Sequence, residues 1–217
     1  MRLKPKKIFA ALGPACVLLC FPASAADWKD LANGKDLTGW EIVGDGIWNV
    51  MRDGAILGQR SPKSVKQSWL YTNKNFREFD LSLEYWTRDR GNSGISIRDT
   101  SRAKWACGND WVADKTPSHI GYEIQIAMSP NEGKFPSGSI YLFAPARNGV
   151  QIQNDWNRLE VESRDSRILV KLNGVAVAEH AGDPNRSKTG PIGLQLHDPA
   201  SIVMFRNIRI REITPAR

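Results

Sequence analysis

A carboxylic acid and an amide, Glu123 and Gln125, stand two residues apart in the segment Gly121-Tyr122-Glu123-Ile124-Gln125-Ile126. Apolar residues alternate with them, and a β-strand turns successive side chains to opposite faces. The segment is therefore predicted to be a strand whose polar face carries the two side chains roughly 6–7 Å apart. Such a pair suits the binding of a sugar hydroxyl or the transfer of a proton. Such a pair is also ordinary on a solvated strand. Whether it belongs to a functional site therefore depends on the polar residues of the neighbouring strands.

Other segments repeat this alternation of apolar and polar side chains, namely Phe79 to Thr87, Gly94 to Arg98, Ser139 to Phe143 and Ile192 to His197. If these strands share one sheet, we expect a polar face that combines two acids, an arginine, a histidine, amides and aromatic rings. That face would carry Glu84, Trp86, Arg98, Glu123, Gln125, Tyr141, Gln195 and His197. A set of this kind is typical of a carbohydrate-binding or acid–base site.

A solvated surface is the competing interpretation of these residues. The outer face of a strand is polar by default, Glu84 and Arg98 can form a cross-strand ion pair of little energetic consequence, and His197 can be a hydrogen-bonded structural residue. A second group of polar residues shows ordinary surface character, with long side chains of mixed charge: Arg158, Glu160, Glu162, Arg164 and Arg167. Because such lysine and arginine decoration is nearly absent from the first set, we favour a site.

The one long irregular stretch, Asp99 to His119, contains Trp105, Cys107 and Trp111. Connections of this length without regular structure are usually functional or disordered, and the two tryptophans argue against disorder. We therefore predict a flap packed over one face of the fold. An aromatic ring can stack on the apolar face of a sugar, although Trp105 and Trp111 can equally be core residues. The predicted substrate-binding residues are Gln125, Trp86, Tyr141, Gln195 and Trp111.

Phosphate, zinc and serine-nucleophile chemistries are not indicated by the sequence. It contains no glycine-rich phosphate loop before a helix, no Cys/His cluster with zinc spacing and no Gly-x-Ser-x-Gly elbow. The histidines are His119, His180 and His197. We predict no cofactor and no metal ligands. A divalent metal held by His197 with Glu84 or Glu123 is left open, although no spacing supports it.

Closely spaced glycines and prolines divide the chain into short alternating segments, and no window shows a sustained helical stripe. Only Asp27 to Leu31 is predicted to form a turn of helix. Short strands at this spacing, with no helices between them, predict an all-β antiparallel sandwich or barrel. The sequence shows no internal repeat or linker, so residues 26–217 are predicted to be a single domain.

Residues 1–25 have the features of a secretory signal peptide, with four basic residues, an apolar run and the small residues Ala23-Ser24-Ala25. Cleavage near Ala25/Ala26 is expected to give a periplasmic or secreted protein with no membrane segment. Because the segment carries no acid, its loss lowers the net charge from +7 to +3, too little to favour nucleic acid. Cys107 is then the one remaining cysteine, so the core rather than an internal disulfide must stabilise the fold.

A series of short motifs, in order along nearly all of residues 26–217, resembles the 3-keto-disaccharide hydrolase domain family. The motifs are Asn33 to Trp40, Phe79-Asp80-Leu81 to Glu84, Asn92-Ser93-Gly94-Ile95 with Arg98, Gly121 to Gln125, Leu172-Asn173-Gly174, Gly193 to His197 and Phe205 to Ile208. The resemblance implies a concanavalin A-like jelly roll, a β-sandwich of two antiparallel sheets with ligands on the concave face. The flap from Asp99 to His119 is longer than the simplest family pattern.

The resemblance also implies an exported enzyme that cleaves 3-keto-glycosides, so the expected partner is an oxidised carbohydrate. A ketone at sugar carbon 3 acidifies the hydrogen on carbon 2, and removal of that proton lets the group on carbon 1 leave. This chemistry needs a base, an oxyanion stabiliser and a general acid. Glu123 or Glu84 is the predicted base, Arg98 the stabiliser and His197 the acid, with elimination or net hydrolysis as the outcome.

Two other functions compete with this one on the same fold. A non-catalytic carbohydrate-binding module would need the aromatic residues, Arg98 and Gln125, but no tuned ionisable groups. A retaining glucanase needs two carboxylates that flank the scissile bond. The strand that would carry them reads Glu123-Ile124-Gln125-Ile126-Ala127, with one acid, so we rank this alternative last.

Overall fold

The fold is described from a computed structural model, for residues 27–61, 63, 66–88, 91–127, 133–199 and 201–213. The predicted signal peptide, residues 1–25, lies outside the described residues. Within these ranges, no helix is both long enough and apolar enough to cross a membrane.

The described residues form thirteen β-strands, most of them short. They are β1 (Lys29–Asp30), β2 (Trp40–Val43), β3 (Ile47–Val50), β4 (Ile56–Gln59), β5 (Ser68–Thr72), β6 (Phe79–Thr87), β7 (Asn92–Ile97), β8 (Tyr122–Ala127), β9 (Asn157–Arg164), β10 (Arg167–Leu172), β11 (Val175–His180), β12 (Ile192–Leu196) and β13 (Ile202–Glu212). One short helix, α1 (Pro117–Ile120), precedes β8.

These strands form two antiparallel sheets, as the sequence predicts. The large sheet has eight strands in the order β11-β10-β9-β6-β13-β4-β3, with β1 paired to β13. The small sheet has five strands in the order β2-β5-β12-β7-β8. The all-β jelly-roll sandwich is therefore confirmed.

The core lies between the two sheets and is built by the apolar half of each alternating strand. From the large sheet, Leu81, Leu83 and Tyr85 are almost completely buried. From the small sheet, Ile124 and Ile126 are fully buried on the opposite side of the same core. Since the two faces of a strand alternate, burying these residues turns the polar residues of β8 away from the core.

The face of the small sheet that points away from the core is called here the site face. It carries residues of alternate register: Gln67, Trp69, Tyr71, Asn92, Gly94, Ser96, Glu123, Gln125, Gly193 and Gln195. The flap covers part of this face and forms a second apolar cluster of Trp69, Tyr71, Ala103, Ala106 and Cys107. The predicted packing of the flap over one face is confirmed.

A buried carboxylate, Asp99, anchors the flap to the sheet. It accepts hydrogen bonds from the Tyr71 hydroxyl at 2.8 Å and from the backbone N–H groups of Ser101 and Ala103 at 2.9 and 2.7 Å. The stacked rings of Trp69 and Tyr71, with centroids 5.7 Å apart, lie beneath it. Because several donors bond to this buried carboxylate, they stabilise one geometry of the loop. The edge of the flap is thereby held against the small sheet.

Two local predictions are wrong. Asp27 to Leu31 does not form a helical turn, because Lys29 and Asp30 pair with β13, and such pairing outweighs the weak preference of so short a segment for helix. Ser139 to Phe143 is not a regular strand: only isolated bridges form there. Leu142 has φ +73° and is exposed instead of facing the core.

Candidate active site

A cavity of about 220 Å³ opens on the part of the site face that the flap leaves uncovered. β8 supplies its floor, and the flap with α1 supplies one wall. The opposite wall is the edge segment at Tyr141, whose N–H donates to the Glu123 carbonyl oxygen at 2.8 Å. The lining residues are Gln67, Asn92, Trp111, Ala113, Thr116, Ser118, His119, Glu123, Gln125, Tyr141 and His197.

Glu123 is the one carboxylic acid among the described residues that line this cavity. Only 5% of the residue is exposed, and burial raises the pKa of Glu123 to about 8. In the described part of the chain no cation pairs with it. Space for the carboxyl comes from Gly94 on the adjacent strand, where an added Cβ would lie 2.7 Å from Glu123 Oε1. The site thus holds a buried acid poised to exchange a proton near neutral pH.

Side-chain amides surround this acid and are held in place by their own hydrogen bonds. Gln125 Nε2 donates to Asn92 Oδ1 at 3.1 Å, and Gln67 Oε1 accepts from Trp69 Nε1 at 3.0 Å. An amide fixed at one atom still presents the remaining N–H groups to a ligand. The three amides therefore provide neutral donors around the cavity.

Two imidazoles complete the polar lining. Thr116 Oγ1 lies 2.8 Å from His119 Nδ1, which leaves the other ring nitrogen for a ligand. Burial and then the nearby Arg186 charge lower the pKa of His119. His197 lies at the rim, with 42% of its side chain exposed and Nδ1 3.6 Å from Asp198 Oδ2. Partial burial lowers the pKa of His197 as well, more than the Asp198 carboxylate raises it, so both rings are mainly neutral near pH 7.

Two aromatic residues, Trp111 and Tyr141, are among the residues that line the cavity. Trp111 of the flap is 36% exposed, and the Lys66 ammonium lies 4.6 Å from its ring centroid. Tyr141 packs against Phe135 with ring centroids 5.1 Å apart. Rings on the walls with polar groups on the floor match the two surfaces of a sugar, apolar faces and a hydroxyl belt.

The sequence of the chain matches one known protein family over most of its length. Residues 27–211 match the sequence profile of the 3-keto-alpha-glucoside-1,2-lyase-like domain. The chain belongs to this family. The match spans nearly all of the described residues and includes the whole cavity. No curated protein matches the chain in sequence.

Solved structures similar to this lyase-like domain share its fold. A candidate glycosyl hydrolase from Parabacteroides distasonis is 25% identical, with a TM-score of 0.65 over 86% of this chain and 99% of that chain. A protein from Bacillus subtilis with a galectin-like fold has a TM-score of 0.63 at 12% identity, covering 89% and 98% of the two chains. The carbohydrate-binding module CBM66 from Bacillus subtilis reaches 0.54 at 19% identity, covering 78% and 93%.

The structure brings together five of the predicted site residues of the lyase-like domain, namely Glu123, Gln125, His197, Tyr141 and Trp111. It adds Gln67, Asn92, Thr116 and His119, which the sequence analysis did not select. The flap residues were missed because period-two alternation applies only to strands. The position of His119 shortly before β8 is the one feature of the sequence that points to a flap residue near the site. Gln195 lies on the site face but is fully buried and does not line the cavity.

The prediction that Glu84 and Trp86 share a sheet with Glu123 is wrong. Both belong to β6, at the centre of the large sheet, and point outward on the opposite side of the sandwich. Glu84 Oε2 accepts a hydrogen bond from Arg206 Nε at 2.6 Å, an ion pair across neighbouring strands. Alternation identifies the face of a strand but not the sheet that the strand joins, which explains the error.

The prediction that Arg98 lies on the site face is also wrong. Arg98 directly follows β7 with φ +60°, and this left-handed conformation breaks the alternation and turns the side chain toward the core. The residue is fully buried, and Nη2 donates to Ser163 Oγ at 2.8 Å and to the Arg164 carbonyl oxygen at 2.6 Å. Burial lowers the pKa of Arg98. Its contacts join the small sheet to the large sheet and do not reach the cavity.

No group of three or more His, Cys, Asp or Glu side chains within the described ranges is arranged to hold a metal ion. The proposed pairing of His197 with Glu84 is ruled out as a ligand set by the separate sheets. The neutral amides of Gln67, Asn92 and Gln125 are among the residues that line the cavity.

The raised pKa of Glu123 predicts that stability falls as pH rises. The folded carboxyl keeps its proton up to about pH 8, whereas the ordinary value is 4.5, so the folded chain binds more protons between these values. The contribution is fully present below pH 4.5 and is lost as pH rises through 8, with a limiting slope of about 1.4 kcal/mol per pH unit. Glu123→Gln should flatten this slope in urea unfolding measured from about pH 5 to about pH 9. A variant that follows the wild-type slope would contradict the buried neutral acid.

Proposed function

We propose that this lyase-like domain cleaves 3-keto-glycosides at the anomeric bond, with Glu123 as the base that removes the proton from sugar carbon 2. The single observation that carries the proposal is the buried Glu123 carboxyl, which pairs with no cation among the described residues, has its pKa raised to about 8 and faces a cavity of about 220 Å³. A base is most effective when its pKa lies near the working pH. The family membership supports the substrate class, since the family takes its description from a 3-keto-glucoside lyase.

The first step transfers the carbon 2 proton to the Glu123 carboxylate. The electron pair of the broken C–H bond moves into the carbonyl, so that an enolate oxygen forms at carbon 3. The fixed amides of Asn92 and Gln125 are the donors that support this proposed step, because they line the cavity and carry no charge that must be desolvated. They take the role that the sequence analysis assigned to Arg98.

The second step expels the group on carbon 1. The enolate electrons form a double bond between carbons 1 and 2, and the leaving oxygen takes a proton from a general acid. His119 and His197 both line the cavity, and the imidazolium form of either ring can release this proton. The Thr116 hydroxyl bonded to His119 Nδ1 orients that ring, which makes His119 a candidate equal to the predicted His197. Elimination gives a conjugated enone, and addition of water to it gives net hydrolysis.

The retaining-glucanase mechanism finds no support in this site. It requires two carboxyl groups roughly 5–5.5 Å apart across the scissile bond. Among the described lining residues Glu123 is the only acid, and position 125 on the same strand is an amide. One base with neutral donors fits abstraction of a proton next to a ketone better than it fits a glycosyl-enzyme intermediate.

The test is a comparison of one disaccharide with the same disaccharide oxidised to a ketone at carbon 3. The oxidised form should be cleaved, with release of the leaving sugar and either an ultraviolet-absorbing enone or the free 3-keto sugar. The parent disaccharide, whose carbon 2 hydrogen is not acidic, should remain intact. Binding of the oxidised sugar in calorimetry without any cleavage would instead favour the carbohydrate-binding module, the second candidate suggested by the fold shared with CBM66.

We further propose that the protein acts after export from the cytoplasm. Support comes from residues 1–25, with their basic start, apolar run and Ala23-Ser24-Ala25. Mass spectrometry of the protein recovered from a bacterial periplasm should give a chain that begins at or near Ala26. A mass that retains the first residues would contradict this proposal.

A further inference from the structure

Gln195 is a buried amide with no conventional partner. It belongs to β12, its side chain points to the site face, and none of its surface is exposed. Neither Nε2 nor Oε1 makes a hydrogen bond of normal geometry with the described residues. A buried polar side chain in this state calls for an explanation, because native proteins pair such groups almost without exception. A ligand in the cavity does not explain the buried amide, since Gln195 is not among the residues that line the cavity.

The ionisable group that the described residues place beside Gln195 is Glu123. On one side, Trp69 is directly opposite in the register of β5 and β12, and its indole N–H is already donated to Gln67. On the other side lies Gly94, which has no side chain. A Cβ added at Gly94 would lie 2.7 Å from Glu123 Oε1 and 3.2 Å from Gln195 Oε1. Both side-chain oxygens therefore border the space that a side chain at Gly94 would fill.

We infer that Gln195 is a positioning residue for Glu123 and not a sugar contact. Its amide offers an acceptor oxygen to the neutral carboxyl and, after rotation about χ3, a donor N–H to the carboxylate. The Gln195 side chain, beneath the floor of the cavity, can thus form a hydrogen bond with Glu123 in either protonation state of the carboxyl. The Gln195 amide lowers the pKa of Glu123, whereas burial raises it. A lower pKa is expected when a group donates a hydrogen bond to the charged carboxylate.

Gly94 is part of the same arrangement. Any larger residue there would occupy the space that the Glu123 carboxyl and the Gln195 amide both border, since a Cβ would already be closer to Glu123 Oε1 than van der Waals contact allows. The absence of a side chain on β7 therefore permits the approach of Gln195 to Glu123. The inference rests on the proposed function only in naming Glu123 as the base, because the inferred pairing of Gln195 with Glu123 needs no substrate.

The test measures the titration of Glu123 directly. The glutamate side-chain carboxyl carbons are labelled with ¹³C, and the Glu123 signal is assigned by its disappearance in Glu123→Gln. In Gln195→Met, which keeps the length of the side chain and removes the amide, the apparent pKa of Glu123 should rise by about 0.5–1 unit. Gln59→Met, on β4 of the large sheet, is the matched control and should leave the titration unchanged.

Gln195→Asn provides a second variant if the methionine disturbs folding. Asparagine keeps the amide on a side chain that is shorter by one methylene, so the amide lies farther from Glu123. The same upward shift of the Glu123 pKa is therefore expected. An unchanged Glu123 titration in either folded variant would overturn the inference. Because the measurement uses no substrate, its outcome is separate from the proposed function. A shifted titration in a protein that never cleaves a 3-keto-glycoside would reject the cleavage and retain the Gln195–Glu123 pair.

Discussion

Glu123→Gln is expected to lower kcat/KM for a 3-keto-glycoside by about 10²–10⁴-fold, the usual contribution of a general base. Glutamine keeps the shape of the side chain and removes only its ability to accept the carbon 2 proton. The buried acid at this position is already neutral over much of the pH range, so the fold should tolerate the amide. Initial rates over a series of substrate concentrations, combined with a thermal unfolding curve, separate lost catalysis from lost structure.

Glu84→Gln is the matched control for this result. Glu84 was the alternative base on sequence grounds, but it lies on the outer face of the large sheet and pairs with Arg206. Loss of this partly exposed ion pair should change stability by no more than about 1 kcal/mol and leave kcat/KM unaltered. Wild-type rates in Glu123→Gln together with a large loss in Glu84→Gln would contradict the proposed site.

Arg98→Ala is expected to lower the free energy of unfolding by about 2–4 kcal/mol, because it leaves a cavity and two acceptors without their donor. Arg98 is fully buried and bonds to Ser163 and to the Arg164 carbonyl oxygen on the other sheet. Urea unfolding should show a lower midpoint with an unchanged m value. Arg206→Ala, which removes a partly exposed arginine from the large sheet, should cost no more than about 1 kcal/mol.

The activity of Arg98→Ala distinguishes its two possible roles. As a structural residue, Arg98 should leave kcat/KM per folded molecule unchanged at a temperature where the variant is fully folded. As the oxyanion stabiliser suggested by the sequence, its removal should reduce kcat by about 10²–10³-fold. A stable variant with that kinetic loss would show that Arg98 reaches the substrate after all.

The location of Glu123 and Gln125 was predictable because β8 obeys a strict period of two. The same rule also assigned the faces of β6 correctly, with Leu81 and Leu83 buried and Glu84 outward. The rule carries no information on which sheet a strand joins, because that depends on pairings between residues far apart in the chain. Glu84 was therefore placed on the wrong side of the sandwich despite a correct local pattern.

Residues outside regular strands were beyond the reach of such reasoning. A single residue with positive φ, Arg98, reverses the expected direction of its side chain, and arginine gives no warning of this conformation. His119 and Thr116 line the cavity at the end of the flap, where Thr116 Oγ1 contacts His119 Nδ1, and strand alternation does not predict such positions. The burial that raises the pKa of Glu123 is a property of the folded chain, which strand alternation alone does not predict.

The measurement that tests the central claim most directly is the single-turnover cleavage rate of a 3-keto-glycoside that carries deuterium on carbon 2. If Glu123 removes this hydrogen in the bond-breaking step, the deuterated substrate should react clearly more slowly than the unlabelled one. The residual reaction of Glu123→Gln should keep or increase that ratio. Equal rates for both isotopic forms, with the carbon 2 deuterium fully retained in the cleaved sugar, would show that the anomeric bond breaks without removal of the carbon 2 proton and would contradict the proposed mechanism.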